Sequence, residues 1–427
     1  MRGTLSTVTA LALLALSTHA SPLPQPREQV LRCTLDTAEQ VSHIENQNLD
    51  VWSHHGVSAG EKARPIDVRV NDAQKAALLA TGVRCEPFIE DVAALLKEEM
   101  IPVSQQTLQK RAAPSDPYFS TYRSFAEINA QIAKWASAYP TTFKDLGSVG
   151  QSAQGRALRA FKITSAKTGP KKAIWLNGGI HAREWVSSAT TMYIAHSLLT
   201  APAGSPAAAL LDSLEFYFTP MSNPDGYEYS RTTNRMWRKN RGKNAGSSCI
   251  GTDLNRNWDE HWNVVGASQD PCSDTYSGTK AFSAPETLAL SKFALSLPNR
   301  VAGIDLHSYG QYVLRPWGWT YDAPPNNDFY TRLGDGMRDA IRSVYGTRYT
   351  SQSGADLYPA AGATDDWMNA KARMVGFTIE LRDTGSYGFA LPARLIVPTG
   401  EEAFAGVVYY ARFVLDNKVP ILTPARS

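Results

Sequence analysis

At 427 residues, 43 % apolar and 19 % charged, the chain is long enough for two domains with sizeable cores. Its formal net charge of +3 is too small to argue for a nucleic-acid partner, and no basic run or interleaved aromatic stripe adds to it. Residues 1–20 read as a secretory leader, with Arg2 ahead of the apolar run Val8–Leu16 and small residues around Ala20. That run is too short to span a bilayer and no later stretch is long enough, so the expectation is an exported, extracellular protein with no membrane partner. Four cysteines suit an oxidising compartment, and no Cys-x-x-Cys pair points to a zinc-thiolate site.

Residues 21–111 carry a β-α-β-β-α-β pattern, a small ferredoxin-like α+β unit. Gln29–Leu35 alternates as a strand, and Thr37–Asn48 reads as a helix starting near Asp36. Val51–Ser53 and Ile66–Val70 form a strand pair joined by a polar loop. Asn71 is a natural cap for a helix over Ala73–Ala80, ended by Gly82, and Val83–Ile89 is the last strand. In such a split arrangement the first and last strands are neighbours, so Cys33 and Cys85 face each other and a cross-strand disulfide is expected. Lys110-Arg111, followed by the loop-like Ala112–Ser115, reads as a dibasic processing site or a helix-terminal charge pair, and its place between the two units favours processing.

Residues 112–427 alternate strand-like and helical runs. Strand-like runs are Ala173–Leu176, Leu214–Phe218, Gly303–Leu306 and Val375–Ile379; helical runs include Ala189–Leu199, Pro285–Leu297 and Asp328–Val344. This is α/β, a mostly parallel or mixed sheet with helices on both faces. The two units carry opposite net charge, which favours their association.

His181-Ala-Arg-Glu184 follows the first of those strands and places two metal-type ligands three residues apart. His307, after another strand-like run, supplies a third. Two imidazoles and one carboxylate leave a fourth zinc position open, which separates a catalytic zinc from a closed structural one. His181, His307 and Glu380 each lie at or just after a strand end, where ligands gather in such folds.

From about Tyr118 onward, and more weakly before it, the chain resembles the zinc metallocarboxypeptidases of the carboxypeptidase A and B group. The blocks that carry the resemblance are Gly179–Trp185, Asn223–Tyr227, Asn234–Lys239, Asp253–Trp258, Leu306–Tyr309 and Thr378–Gly385. The resemblance implies a carboxypeptidase-like fold in 112–427, an activation pro-domain in 21–111 with a connecting helix at Leu95–Glu99, and one Zn2+ held by His181, Glu184 and His307. Glu380 is implied as general base, and Arg238 as the cation beside the developing oxyanion, steadied by stacking in its tryptophan-containing context. Asn255 and Arg256 would grip the substrate's terminal carboxylate, and Tyr358 would cover it. Arg183, Ser308, Tyr309 and Phe389 match further subsite contacts, and Asp253 the partner that fixes the His181 tautomer. A Cys249–Cys272 disulfide is implied on the same ground. Partners are then peptide or protein C-termini and an activating protease, and the chain acts as a monomer.

Asp365 matches the pocket position that is apolar in A-type enzymes and aspartate in B-type ones, so the reading leans to C-terminal Lys or Arg. A carboxylate turned away to cap a helix near Asp366 is the competing reading. Ser353 and Ala363 stand where similar enzymes often have glycine, so an A-type or dual preference stays open. A binding protein that has lost catalysis is disfavoured because every expected ligand and the base are present. An amidohydrolase on the same fold is the other rival.

Overall fold

The computed structural model describes residues 28–37, 40, 44, 47, 49–53, 65–103 and 116–419. The expected leader, the Lys110-Arg111 pair and most of the expected Thr37–Asn48 helix lie outside them.

The first unit is a four-stranded antiparallel sheet in the order β2-β3-β1-β4. Its strands are β1 (Glu28–Thr34), β2 (Asp50–Ser53), β3 (Pro65–Asn71) and β4 (Arg84–Ile89). Helix α1 (Asp72–Ala80) starts where expected. Asn71 accepts from the Gln74 main chain, and the Gln74 side chain accepts from Asn71 in return, a reciprocal cap. Helix α2 (Val92–Glu99) follows β4. Leu31, Ile66, Val68, Val70 and Leu78 form the unit's own core. Cys33 and Cys85 are register partners on β1 and β4 and are disulfide-bonded, as the strand order requires.

The second unit runs through α3 (Phe125–Ala138), β5 (Phe143–Gln151), β6 (Ala157–Ile163), β7 (Lys172–Gly178), α4 (Trp185–Leu199), β8 (Leu214–Thr219) and α5 (Pro224–Thr232). It continues with α6 (Pro285–Ser296), β9 (Arg300–Ser308), β10 (Tyr312–Arg315), α7 (Asn327–Tyr345), β11 (Thr350–Ser353), α8 (Thr364–Ala370), β12 (Val375–Leu381) and α9 (Ile396–Asp416). Eight strands form one mixed sheet, ordered β11-β10-β12-β9-β7-β8-β6-β5. The four central strands, β12, β9, β7 and β8, are parallel. Successive side chains leave a strand on opposite faces. Ile174 and Leu176 therefore enter a core with α3, α4, α7 and α9, while Ala173 and Trp175 enter a second core with α6 and α8. Helices cover both faces.

β7 is followed in sequence by β8 on one side and by β9 on the other. That reversal opens a crevice at the carboxyl ends of β7 and β9. The first unit docks over it. Val30, Trp52, Ile89 and Val92 pack against Met236, Phe389 and Ala390. Gly388 and Gly385 (φ +55 and +117) admit the rings of Trp52 and Phe88, where a Cβ would lie 2.9 and 2.6 Å away. The Glu99–Arg235 and Glu98–Arg394 pairs flank the apolar contact.

Candidate metal centre and substrate cleft

Each metal-type ligand is delivered by a strand end. His181 sits in the turn between β7 and α4, with Glu184 at the N-cap of that helix. His307 is the penultimate residue of β9. All three are buried, and their ligand atoms lie within 4.8 Å of one another. His181 Nδ1 is 3.2 Å from His307 Nδ1 and 2.7 Å from Glu184 Oε1, and His307 Nδ1 is 3.1 Å from Glu184 Oε2.

The opposite ring nitrogens face carboxylates. His181 Nε2 is 3.1 Å from Asp253 Oδ1, and His307 Nε2 is 3.1 Å from Asp305 Oδ2. A carboxylate behind an imidazole fixes the proton on that side. Two Nδ1 lone pairs then converge on one point, which is unfavourable unless a cation lies between them. Ligand nitrogens at about 2.0–2.1 Å from a tetrahedral zinc are about 3.3 Å apart, so the donor set and spacing fit zinc. Burial alone would raise the Glu184 carboxyl; the two histidines outweigh it and hold it well below the usual range.

Glu380 is the register partner of His307 on β12, so backbone pairing sets this carboxylate beside the metal-type triad. Its Oε2 is buried and has no hydrogen-bond partner among the described residues. Burial pushes its carboxyl up to about 8, with His307 opposing and Glu184 adding to the rise. A cation in the adjacent triad draws it back down. The alternative partner, Arg382, is engaged with Glu402.

The same cleft is lined by Arg183, Arg238, Asn255, Ser308, Tyr309, Tyr358 and Phe389. Arg238 Nε and Nη2 both donate to Asp253 Oδ2, at 3.1 and 2.9 Å. This corrects the expectation that stacking steadies it: Trp237 instead lies under the Arg241 guanidinium and meets the Tyr229 ring edge-on. A buried guanidinium needs a carboxylate more than a ring. Asp253 thereby orients both His181 and Arg238. Asn255 Oδ1 accepts from the Thr364 main chain and hydroxyl, which turns the rest of its amide to the cleft. Arg256 lies beneath Tyr358, its Nη2 3.5 Å from the Tyr358 hydroxyl and its Nε bonded to Gly266 O. Cys249 and Cys272, which bracket this segment, are disulfide-bonded.

Asp365 is brought near but not into this cleft. It is buried in the first turn of α8, where its Oδ1 accepts from the Asp366 main chain. Burial raises its carboxyl, with the Thr378 hydroxyl opposing. The N-cap of α8 is Ala363, with no side-chain cap bond. Ser353 caps the short turn Gly354–Leu357.

Three features were not anticipated. Asp305 was legible in principle, because Asp-Leu-His on a strand puts positions 305 and 307 on one face. Asn177 links Asp305 to Thr219 and Ser222 in a buried network that nothing in its own neighbourhood signals. Arg32, Val51, Trp52 and Asp67 of the first unit line the cleft, which no local motif reveals.

The comparisons with known proteins agree with this geometry. The zinc carboxypeptidase profile matches residues 128–406. This chain belongs to the zinc carboxypeptidase family. The carboxypeptidase is 35 % identical to bovine (Bos taurus) carboxypeptidase A1 over 402 residues, covering 91 % of this chain and 94 % of that one. It is 40 % identical to carboxypeptidase B of Astacus astacus over 303 residues, covering 70 % and 99 %. Its fold superposes on the crystal structure of thrombin activatable fibrinolysis inhibitor with a TM-score of 0.81 at 31 % identity, covering 92 % of this chain and 100 % of that one. Among the described residues, no helix of the carboxypeptidase is long and apolar enough to cross a membrane.

Proposed function

We propose that the chain is a secreted zinc exopeptidase, made as a latent precursor, that removes single residues from the C-termini of peptides and proteins and prefers C-terminal Lys or Arg. The carrying observation is the meeting, at one switch point of the sheet, of the His181–Glu184–His307 triad and the unpartnered Glu380 oxygen.

His181, Glu184 and His307 hold the zinc. A zinc held there would supply Lewis-acid chemistry, polarising a water and the scissile carbonyl and lowering the water's pKa toward about 7. Glu380 takes the water's proton as its oxygen bonds to the carbonyl carbon, then hands a proton to the amine as the C–N bond breaks. Arg238, fixed by Asp253, faces the oxygen on which negative charge grows. Asn255 and Arg256 hold the terminal carboxylate, since a planar guanidinium meets a carboxylate with two hydrogen bonds. An internal peptide bond offers no such charge, so the chemistry is that of an exopeptidase. Tyr358 covers the bound residue, and Ser308, Tyr309, Phe389 and Arg183 contact the peptide upstream.

The preference for basic ends rests on Asp365. A buried carboxylate is costly, and a substrate's cationic side chain that reaches past the cleft lining toward Asp365 would relieve it. The leader, two disulfides and Lys110-Arg111 support export and processing of 21–111 by a dibasic-specific protease, with 112–427 as the mature monomer.

The test is release of free amino acids by the chain cleaved after Arg111, using peptides ending in Arg, Lys, Leu and Phe, with and without chelator. Chelator-sensitive release of single residues, fastest from Arg and Lys, is expected. Internal cleavage would refute the exopeptidase reading. Faster release of Leu or Phe, with a ranking that Asp365→Ala leaves unchanged, would leave the A-type or dual alternative. Uncleaved chain as active as the processed form would end the latency claim.

A further inference from the structure

Two carboxylates, one from each unit, compete for the Arg183 guanidinium. Arg183 Nη1 donates to Asp50 Oδ1 at 2.6 Å, and Asp274 Oδ2 lies 3.6 Å from the same nitrogen. Arg183 Nη2 donates to the main-chain carbonyl of Val51 at 3.3 Å, and the Phe389 ring lies flat under the charge at 4.2 Å. Asp50 and Val51 belong to β2. A stretch of extended backbone from the first unit is therefore held by an arginine inside the cleft.

The two carboxylates differ in how they are tied. Asp50 is fully engaged, because its Oδ2 also accepts from Trp52 Nε1 and Arg69 Nε. It departs with its unit. Asp274 belongs to the second unit and stays. Its loop follows Cys272 and is anchored by the Cys249 disulfide. It is anchored again by the Asp253 N–H donating to Tyr276 O at 2.8 Å. The Asp274 side chain is 45 % exposed and sits at ion-pair range from Arg183, just beyond a hydrogen bond.

We propose that Asp274 is the positioning residue for Arg183 in the processed enzyme. When β2 leaves, Asp274 becomes the carboxylate partner of Nη1. Nη2 stays aimed where it met the Val51 carbonyl, ready for a carbonyl of the peptide upstream of the bond being cut. This rests on the carboxypeptidase reading. It also gives Asp274 an opposite role in the precursor. There it repels Asp50 and shares its cation, so it weakens the docking that it later replaces.

The experiment compares the parent with Asp274→Asn and Asp274→Glu, each cleaved after Arg111. On an N-blocked tetrapeptide, which reaches Arg183, Asp274→Asn should raise KM roughly 5- to 10-fold with kcat nearly constant, the signature of lost binding common to ground and transition states. On an N-acetyl amino acid, which ends short of Arg183, neither constant should move. Asp274→Glu should restore the tetrapeptide KM. In freshly cleaved samples the first unit, still docked, should inhibit Asp274→Asn more strongly than the parent. An unchanged tetrapeptide KM, or an equal rise on both substrates, overturns the proposal. If the parent itself releases nothing from either substrate, the underlying carboxypeptidase reading has failed.

Discussion

At the scale of single residues, the triad was readable because a His-x-x-Glu spacing after a strand and a second strand-end histidine are local patterns. The groups behind the triad were less so. Asp253 came through resemblance and Asp305 did not come at all, although it stands two residues before His307 on the same face of β9. Two outcomes follow at this scale. Glu380→Gln is expected to lower kcat by about 10²–10⁴-fold while zinc content by elemental analysis stays at the parental level. Zinc loss in that variant would recast Glu380 as a metal ligand. Asp305→Asn removes the carboxylate 3.1 Å from His307 Nε2. Zinc affinity in a chelator competition should fall by about 10- to 100-fold. Parental affinity would mean that Asp305 serves only its bond with Asn177.

At the scale of elements, the central parallel strands were legible, while the flanking strands, β6 (Ala157–Ile163) among them, and the helices α3 and α9 were not. β7, β9 and β12 read as apolar runs because both of their faces are covered. β5, β10 and β11 were not seen, since Phe143–Gln151 is half-exposed and carries two glycines, and the other two are four-residue strands. α4 begins at Trp185, four residues before the expected start, because Ser187 and Ser188 look polar by composition. In fact Ser187 is buried, donating to Leu306 O while accepting from Gly179 N. The capping of α1 by Asn71 was read correctly, and its weight can be measured. Asn71→Ala should destabilise the first unit by about 1 kcal/mol, seen as faster amide exchange across Asp72–Ala80. Exchange as slow as in the parent would show that packing of Leu78 alone holds that helix.

At the scale of the whole molecule, the first unit lies over the cleft, and nothing in either half of the sequence alone describes that docking. Its charge component has a defined pH window. Burial opposes ionisation of Asp50, but Arg183 and Arg69 outweigh it and place its pKa below the ordinary 3.8. A group with a depressed pKa contributes fully above its undocked value and loses its contribution as pH falls through the docked one. The difference in docking strength between the parent and Asp50→Asn should therefore be flat from pH 8 to 5 and shrink only below 3.8. Titration calorimetry or inhibition by the retained unit would read it; a difference that already fades near pH 6 would assign the effect to another group.

The place of β12 in the sheet also orders events in time. The chain emerges from the ribosome N-terminus first, and units tend to fold as they appear. The cover, with its own core and its Cys33–Cys85 bond, is complete by residue 99. Glu380 arrives only when β12, the last strand in chain order among the described residues, slots between β9 and β10. On the proposed latency, a nascent chain is thus shielded before it can cut. Chains halted short of Val375 should carry a folded first unit yet release no amino acid from any peptide, even after cleavage at Arg111.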